Sequence, residues 1–234
     1  MQNEIILITT LLITYLGVLT FYKFLGKTGL YVWTAIATIC ANIEVLILID
    51  AFNMEQTLGN ILFASTFLAT DLLSEYEGKE FANKAVKVGI FTSISFILIS
   101  QSWFLYVPNA NDFATPAIKS IFSNTPRLMI VGILVYAISQ AFDVWFYHYI
   151  WDFTTQKFGN SSKFLWLRNN LSTLVSLLFN TILFTFGAFF GTFPQETLID
   201  ICIASYIIFI ITSLLDTPIL YLYKFTNKQN TKEI

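Results

Sequence analysis

Apolar residues gather in seven long runs, at about 5–21, 30–49, 58–73, 86–106, 128–150, 166–190 and 197–222, with short polar stretches between them. Within each run they are continuous rather than alternating, which predicts helices and argues against a barrel of half-polar strands. A bilayer core of about 30 Å takes about 20 residues at 1.5 Å each. The third run is the shortest and ends at Asp71. No strand is expected. The connection from 107 to 126 carries Pro108, Pro116, Pro126, Asn109, Asn111 and Asn124, and predicts turns rather than helix. Pro218, late in the last run, frees the carbonyl of Leu214 and predicts a kink or hinge there.

Composition agrees with lipid as the solvent. Of 234 residues, 56% are hydrophobic and only 12% charged, where a soluble domain carries about 25% charged. The net charge of −2 provides no basic face for nucleic acid. Cys40 and Cys202 lie in apolar runs and read as small core residues. The positive charges then test the seven crossings independently. Lys23, Lys27, Lys79, Lys84, Lys87, Lys157, Lys163, Arg168, Lys224, Lys228 and Lys232 fall on one side, and only Lys119 and Arg127 on the other. Lys and Arg mark the cytoplasmic side, so a plasma or inner membrane protein with its N-terminus outside and C-terminus inside is expected. The start of the chain lacks a positive region, so the first run reads as an anchor rather than a cleavable signal. The pattern implies one all-α membrane domain over 1–234. Residues 1–29 add a span and its loop, 30–223 hold a six-helix core, and 224–234 form a cytoplasmic tail.

Ionisable groups inside a span are costly and therefore functional candidates. Helical spacing sorts the polar ones into stripes. The third run carries Asn60, Ala64, Phe67, Asp71 and Glu75 on one face; the fifth carries Gln140, Asp143 and Tyr147; the sixth carries Asn169, Thr173, Ser176 and Asn180, with Ser172 beside them. Such stripes face a bundle interior or a watery cavity, or simply hold helices together. By depth they form a neutral layer with Asn42, Ser65, Thr66, Gln140 and Asn180, Glu44 lying slightly outward, above an acidic layer of Asp71, Asp143 and Asp216 with Arg168. Amides give both donors and acceptors, Glu44 could accept a paired donor edge, and Phe67, Trp145 or Tyr147 could stack on a ring. A small, flat, polar solute fits this chemistry. Arg168 is read either as a latch to Asp71 or Asp143 or as a positive-inside anchor.

Enzyme signatures are sparse. The single His148 excludes a paired-histidine metal site, and no HExxH, G-x-S-x-G or phosphate loop occurs. No catalytic residue, metal site or cofactor is expected, though an intramembrane aspartyl pair of Asp71 and Asp143 stays open. Lys224 lies beyond the last span, against a retinal-type pigment.

Four motifs in order carry a more specific likeness. Gly59-Asn60 and Ser65-Thr66-Phe67-Leu68-Ala69-Thr70-Asp71-Leu72-Leu73-Ser74-Glu75 lead into Gly78-Lys79 and Ala82. Ser139-Gln140-Ala141-Phe142-Asp143-Val144, Trp166-Leu167-Arg168-Asn169-Asn170-Leu171-Ser172-Thr173 and Leu215-Asp216-Thr217-Pro218 follow. The chain resembles the queuosine precursor transporter family, formerly labelled vitamin uptake transporters, over roughly 30–223. The resemblance implies import of a 7-deazaguanine small molecule (preQ0, preQ1 or queuine) and a six-helix core similar to the substrate-binding subunits of energy-coupling-factor transporters. It places Asn60, Asp71, Glu75, Gln140, Asp143, Arg168, Asn169, Ser172 and Thr173 at family motif positions. Two departures stand out. Leu177 and Asn180 occupy positions where the family commonly has Gln and Asp, and a Lys often found in the last span is absent around Ile207, Ile208 and Phe209.

The expected substrate-binding set is therefore Asn42, Glu44, Asn60, Phe67, Gln140, Asp143, Trp145, Asn169, Ser172, Thr173 and Asn180. The gating or coupling set is Asp71, Glu75, Arg168 and Asp216. The alternatives are a substrate-binding subunit that needs a separate ATP-driven partner, and a structural or assembly membrane protein. A homodimer is open in either case.

Overall fold

The first helix, α1 (Gln2–Glu44), has 43 residues and would be about 65 Å long if straight, twice the thickness of a bilayer core. It folds back instead. At Gly26, φ is 59° and ψ is −148°, a conformation that only glycine adopts without strain. The two halves then run side by side. The rings of Phe21 and Trp33 meet edge to face at 5.4 Å, and the amide of Asn3 donates to the carbonyl of Asp50 at 2.8 Å. One long helix thus covers the first apolar run and most of the second.

The computed structural model describes residues 2–122, 126–159 and 163–230. After α1 come strands β1 (Leu48–Ala51) and β2 (Met54–Thr57), then α2 (Asn60–Tyr76), α3 (Lys79–Ser102) with a 3-10 turn at Trp103–Leu105, α4 (Thr115–Phe122), α5 (Pro126–Phe158), α6 (Leu165–Phe189) and α7 (Gln195–Asn230). Among the described residues, five helices are long and apolar enough to cross a membrane: α1, α3 with its 3-10 turn, α5, α6 and α7. The molecule is an all-α membrane helical bundle. The short third run becomes α2, with 13 of its 17 residues buried. It sits among α1, α3, α5 and α7, so protein rather than lipid surrounds it, and its polar content is tolerated there.

Two local expectations are corrected. The end of the second run and the start of the third do not stay helical. Leu48 pairs with Thr57 and Ala51 with Met54 in an antiparallel hairpin. Its turn residues Phe52 and Asn53 both have positive φ, 55° and 58°, the conformation that two-residue hairpin turns demand. The strand went unread because Leu46, Ile47, Leu48 and Ile49 prolong the apolar run without a break. The Pro-rich connection holds α4, in which Pro116 occupies the first turn, where a missing N–H costs nothing. Asp112 accepts from the N–H groups of Ala114 and Thr115 just before it; the Thr115 hydroxyl, with these bonds, holds its carboxyl below the usual carboxylate range. Asn124 lies outside the described residues. The last helix, α7, contains Pro218 and runs on to Asn230; residues 231–234, with Lys232, lie outside the described residues.

The half-turns connecting the helices sort into two ends. The hairpin, the α3–α5 connection and the α6–α7 turn lie at one end; the Gly26 bend, Gly78 and the α5–α6 connection lie at the other. These are called the hairpin end and the clasp end below.

Candidate functional site

Toward the hairpin end the bundle encloses a cavity with about 80 Å³ open to the centre of a water molecule, room for several water-sized groups. Every helix but α4 contributes. From α1 come Thr38 and Asn42, from the hairpin Thr57, from α2 Asn60, Phe63 and Thr66, and from α3 Ser93. From α5 come Gly132 and Tyr136, from α6 Asn180, Thr181, Phe184, Thr185 and Phe189, and from α7 Ser205 and Phe209. Among the described residues no Asp, Glu, Lys or Arg lines it. The wall is neutral, part amide and hydroxyl, part aromatic.

The amides are held differently. Asn60 is fixed between Thr57, whose hydroxyl donates to its Oδ1 at 3.2 Å, and Ser205, which accepts from its Nδ2 at 3.3 Å. Asn42 donates to the Thr38 carbonyl at 2.7 Å, which leaves its Oδ1 beside Gly132. The Asn180 side chain makes no hydrogen bond among the described residues. It is buried to 6% exposure, so its donors and acceptor are available to a ligand. Beneath the cavity, Gln140 donates to Thr66 at 2.8 Å and accepts from Thr70 at 3.1 Å. Gln140 closes the floor. Gly89 on α3 lets α5 come close: a Cβ there would stand 2.1 Å from the Tyr136 hydroxyl.

One turn further toward the clasp end lies an acidic layer. Asp71 accepts from Thr173 at 3.1 Å, and Asp143 accepts from Ser176 at 3.1 Å. Asp216 lies beside them on α7, and Asp71 feels the charges of both Asp143 and Asp216. All three are at most 1% exposed, and no salt bridge reaches any of them among the described residues.

The clasp comes last. Arg168 grips Glu75 with Nη2 at 2.6 and 2.7 Å and Nε at 3.0 Å, the fork geometry that guanidinium offers a carboxylate. Tyr147 donates to the same carboxylate at 2.8 Å. The guanidinium also lies 4.1 Å from the Trp151 ring centroid, and its Nη1 donates to the Lys163 carbonyl at 2.8 Å. Just before α6, Phe164 has φ 63°, an uncommon backbone for an aromatic residue and a local store of strain. Outside this pair, Glu77 meets Lys27 at 3.9 Å and accepts from Tyr22 at 3.1 Å.

The three polar stripes all face inward, but at depths the sequence did not separate. Asn42, Asn60 and Asn180 reach the cavity. Gln140 is its floor, and Phe67 packs behind the wall with Ala64, Leu177 and Phe209. Asp143, Ser172 and Thr173 belong to the acidic layer. Asn169 donates to Thr217 at 3.2 Å, next to Asp216. Glu44 ends α1 and does not line the cavity. Trp145 is 51% exposed on the outer face of α5, in a row with Phe142, Phe146 and Tyr149. The latch is corrected too: Arg168 binds Glu75, not Asp71 or Asp143. Sequence reading missed the aromatic wall, Phe63, Tyr136, Phe184, Phe189 and Phe209. The available signal was spacing: Phe209 is four residues from Ser205, and Thr181 and Thr185 are four apart. Leu177 and Phe209, at or near the two departures from the family pattern, pack in one cluster against the cavity wall.

No solved structure matches the chain. Residues 57–223 match the family described as "Putative vitamin uptake transporter". A protein of Bacillus subtilis (strain 168) named "Probable queuosine precursor transporter" is 38% identical over 213 residues, covering 91% of both chains. The matched residues contain α2 through most of α7, and so nearly all of the cavity, the acidic layer and the clasp. The chain belongs to this family of membrane transporters.

Proposed function

We propose that the chain imports a queuosine precursor, a 7-deazaguanine base such as preQ0, preQ1 or queuine, by alternating access. The neutral, amide-and-aromatic cavity carries this reading. A guanine-like base has donors and acceptors on its edges, which suit Asn42, Asn60 and Asn180, and two π faces, which suit the phenyl rings around them. An uncharged wall favours an uncharged ring. The name of the Bacillus relative supports the same substrate class.

In this reading the cavity faces outward, and the Arg168–Glu75 clasp closes the cytoplasmic side. The excess of Lys and Arg at the clasp end supports that orientation, with the N-terminus outside, the C-terminus inside and the protein in the plasma membrane. Release of substrate requires the clasp to part, and the strained Phe164 and the shared Lys163 carbonyl tie that step to the α5–α6 connection. The core of 30–223 forms the pathway, and 1–29 supplies the bracing first crossing.

The test is rescue of queuosine in cells that cannot make its precursors, with this chain expressed alone. Rescue by each of the three bases, and its loss in Asn60→Ala and Asn180→Ala, is the expected result. Rescue only when an ATP-driven partner is supplied would replace the importer by a binding subunit. A well-folded chain that binds none of the three bases would end the substrate assignment.

A further inference from the structure

The three aspartates of the acidic layer do not line the cavity, and their chemistry is incomplete. Asp71 Oδ1, Asp143 Oδ2 and Asp216 Oδ1 are buried and make no hydrogen bond among the described residues. The same holds for three neighbouring polar atoms: Ser139 Oγ, one turn before Asp143 on α5; Ser213 Oγ, one turn before Asp216 on α7; and Asn169 Oδ1, one turn before Thr173 on α6. Ser139, Ser213 and Asn169 are each at least 99% buried. Buried polar atoms in native proteins are nearly always satisfied, so six such atoms in the acidic layer and within one turn of it point to something they exchange or share.

Charge narrows what that is. Three carboxylates that interact with one another and have no cation beside them cannot all stay ionised in the interior. Among the described residues no group of His, Cys, Asp or Glu is gathered closely enough to hold a metal ion. The groups facing the layer are few. From α1 comes Tyr15, which donates to the Thr212 carbonyl at 3.2 Å and lies against Asp216. From α2 comes Glu75, from α5 Tyr147 and from α6 Arg168, and these three are engaged with one another in the clasp. The buried positions of α3 carry no ionisable side chain. No nearby cation is left over to neutralise three aspartates. A proton does it.

The layer is also connected in both directions. Asp143 lies one turn from Gln140, the floor of the cavity, and its partner Ser176 lies one turn from Asn180, on the cavity wall. On the other side, Asp71 lies one turn from Glu75 and Asp143 one turn from Tyr147, both in the clasp.

The geometry points to the Asp71–Asp143–Asp216 layer as the proton site that drives uptake, with Asp143 as the carrier. A proton enters from outside water through the cavity, bonds to Asp143 and is shared with Asp71. It leaves to inside water when the clasp parts, so that one proton crosses with each base and nothing is consumed. This inference rests on the proposed import of a 7-deazaguanine.

The test uses the full chain in sealed liposomes with tritiated preQ0, the one of the three bases that carries no amine side chain and is uncharged near neutral pH. Counterflow exchange without any gradient reports transport itself; accumulation with acid outside reports coupling. With the membrane potential held at zero, the wild type should accumulate preQ0 up to about tenfold per pH unit, because one proton per neutral base links equal concentration ratios, and a protonophore should abolish this. In Asp143→Asn the ratio of uptake with and without the gradient should fall to one, whatever its absolute rate. Should that variant not fold, preQ0 binding to the wild type in buffers of different ionisation enthalpy should still show proton uptake or release. Counterflow without any response to the pH gradient, or accumulation driven by sodium alone, would overturn the proton site while leaving import intact. Absence of counterflow and of preQ0 binding in the wild type would overturn import, and the proton site with it.

Discussion

The two ends of the bundle solve different problems with the same kind of helix. At the hairpin end, polar groups line a space, and most of them are amides and hydroxyls that can serve a visitor as readily as a neighbour. At the clasp end, polar groups are charged, closely matched and already bound to one another, as in Arg168, Glu75 and Tyr147. A neutral lining is inexpensive to desolvate and can be left open. A buried ion pair is tolerable only with good geometry, and it becomes costly when one partner leaves. One end is suited to bind and the other to open in a single concerted step. The acidic layer lies between them, joined to each by one helical turn.

Breaking the clasp should have the largest effect. Arg168→Ala strands the Glu75 carboxylate in the interior and should cost about 3–5 kcal/mol, seen as a large drop in unfolding temperature in detergent. The pair Arg168→Met with Glu75→Leu should recover most of that stability without recovering transport. Next comes the packing that shapes the cavity. Gly89→Ala drives a methyl into the Tyr136 hydroxyl and should cost about 1–3 kcal/mol by overpacking, with weaker base binding as Tyr136 shifts.

Removing a cavity amide should separate the two ends most cleanly. Asn180→Ala should weaken binding of a 7-deazaguanine by about tenfold, within the 1–3 kcal/mol that an unpaired buried partner costs. It should leave the unfolding temperature nearly unchanged, because Asn180 holds nothing in the protein. Asn60→Ala should lower both, since Asn60 also joins the hairpin to α7. The smallest effect belongs to Trp145→Leu on the lipid-facing side of α5, within about 0.5 kcal/mol and without change in binding, measured by the same titration.

What the sequence could show follows from the same physics. The all-α membrane class and the inward faces of the polar stripes were legible because helical period and hydrophobicity are local properties. Asn169, Thr173, Ser176 and Asn180 therefore appear inside, as expected. Depth across helices is not local. Arg168 meets Glu75 instead of Asp71 because the register of α6 on α2 is offset by one turn, which no single helix reveals. Trp145 was assigned to the site for its chemistry alone, yet it sits two residues from Asp143, on the opposite side of α5. The aromatic wall was hidden because phenylalanine is common throughout the chain, with 24 copies, and only packing shows which ones face a cavity. The hairpin was hidden by its own apolar strand, and its turn by Phe52, a residue seldom found at positive φ.

The central claim is that the neutral cavity, and not the charged half of the bundle, holds the base. Calorimetric titration of the purified chain with preQ0, preQ1 and queuine tests it directly, with Asn180→Ala and Glu75→Gln beside the wild type. Saturable binding of at least one base, weakened about tenfold by Asn180→Ala and little affected by Glu75→Gln in protein that remains folded, is the predicted result. Binding that survives Asn180→Ala and Asn60→Ala unchanged, or is lost with Glu75→Gln alone, would contradict it.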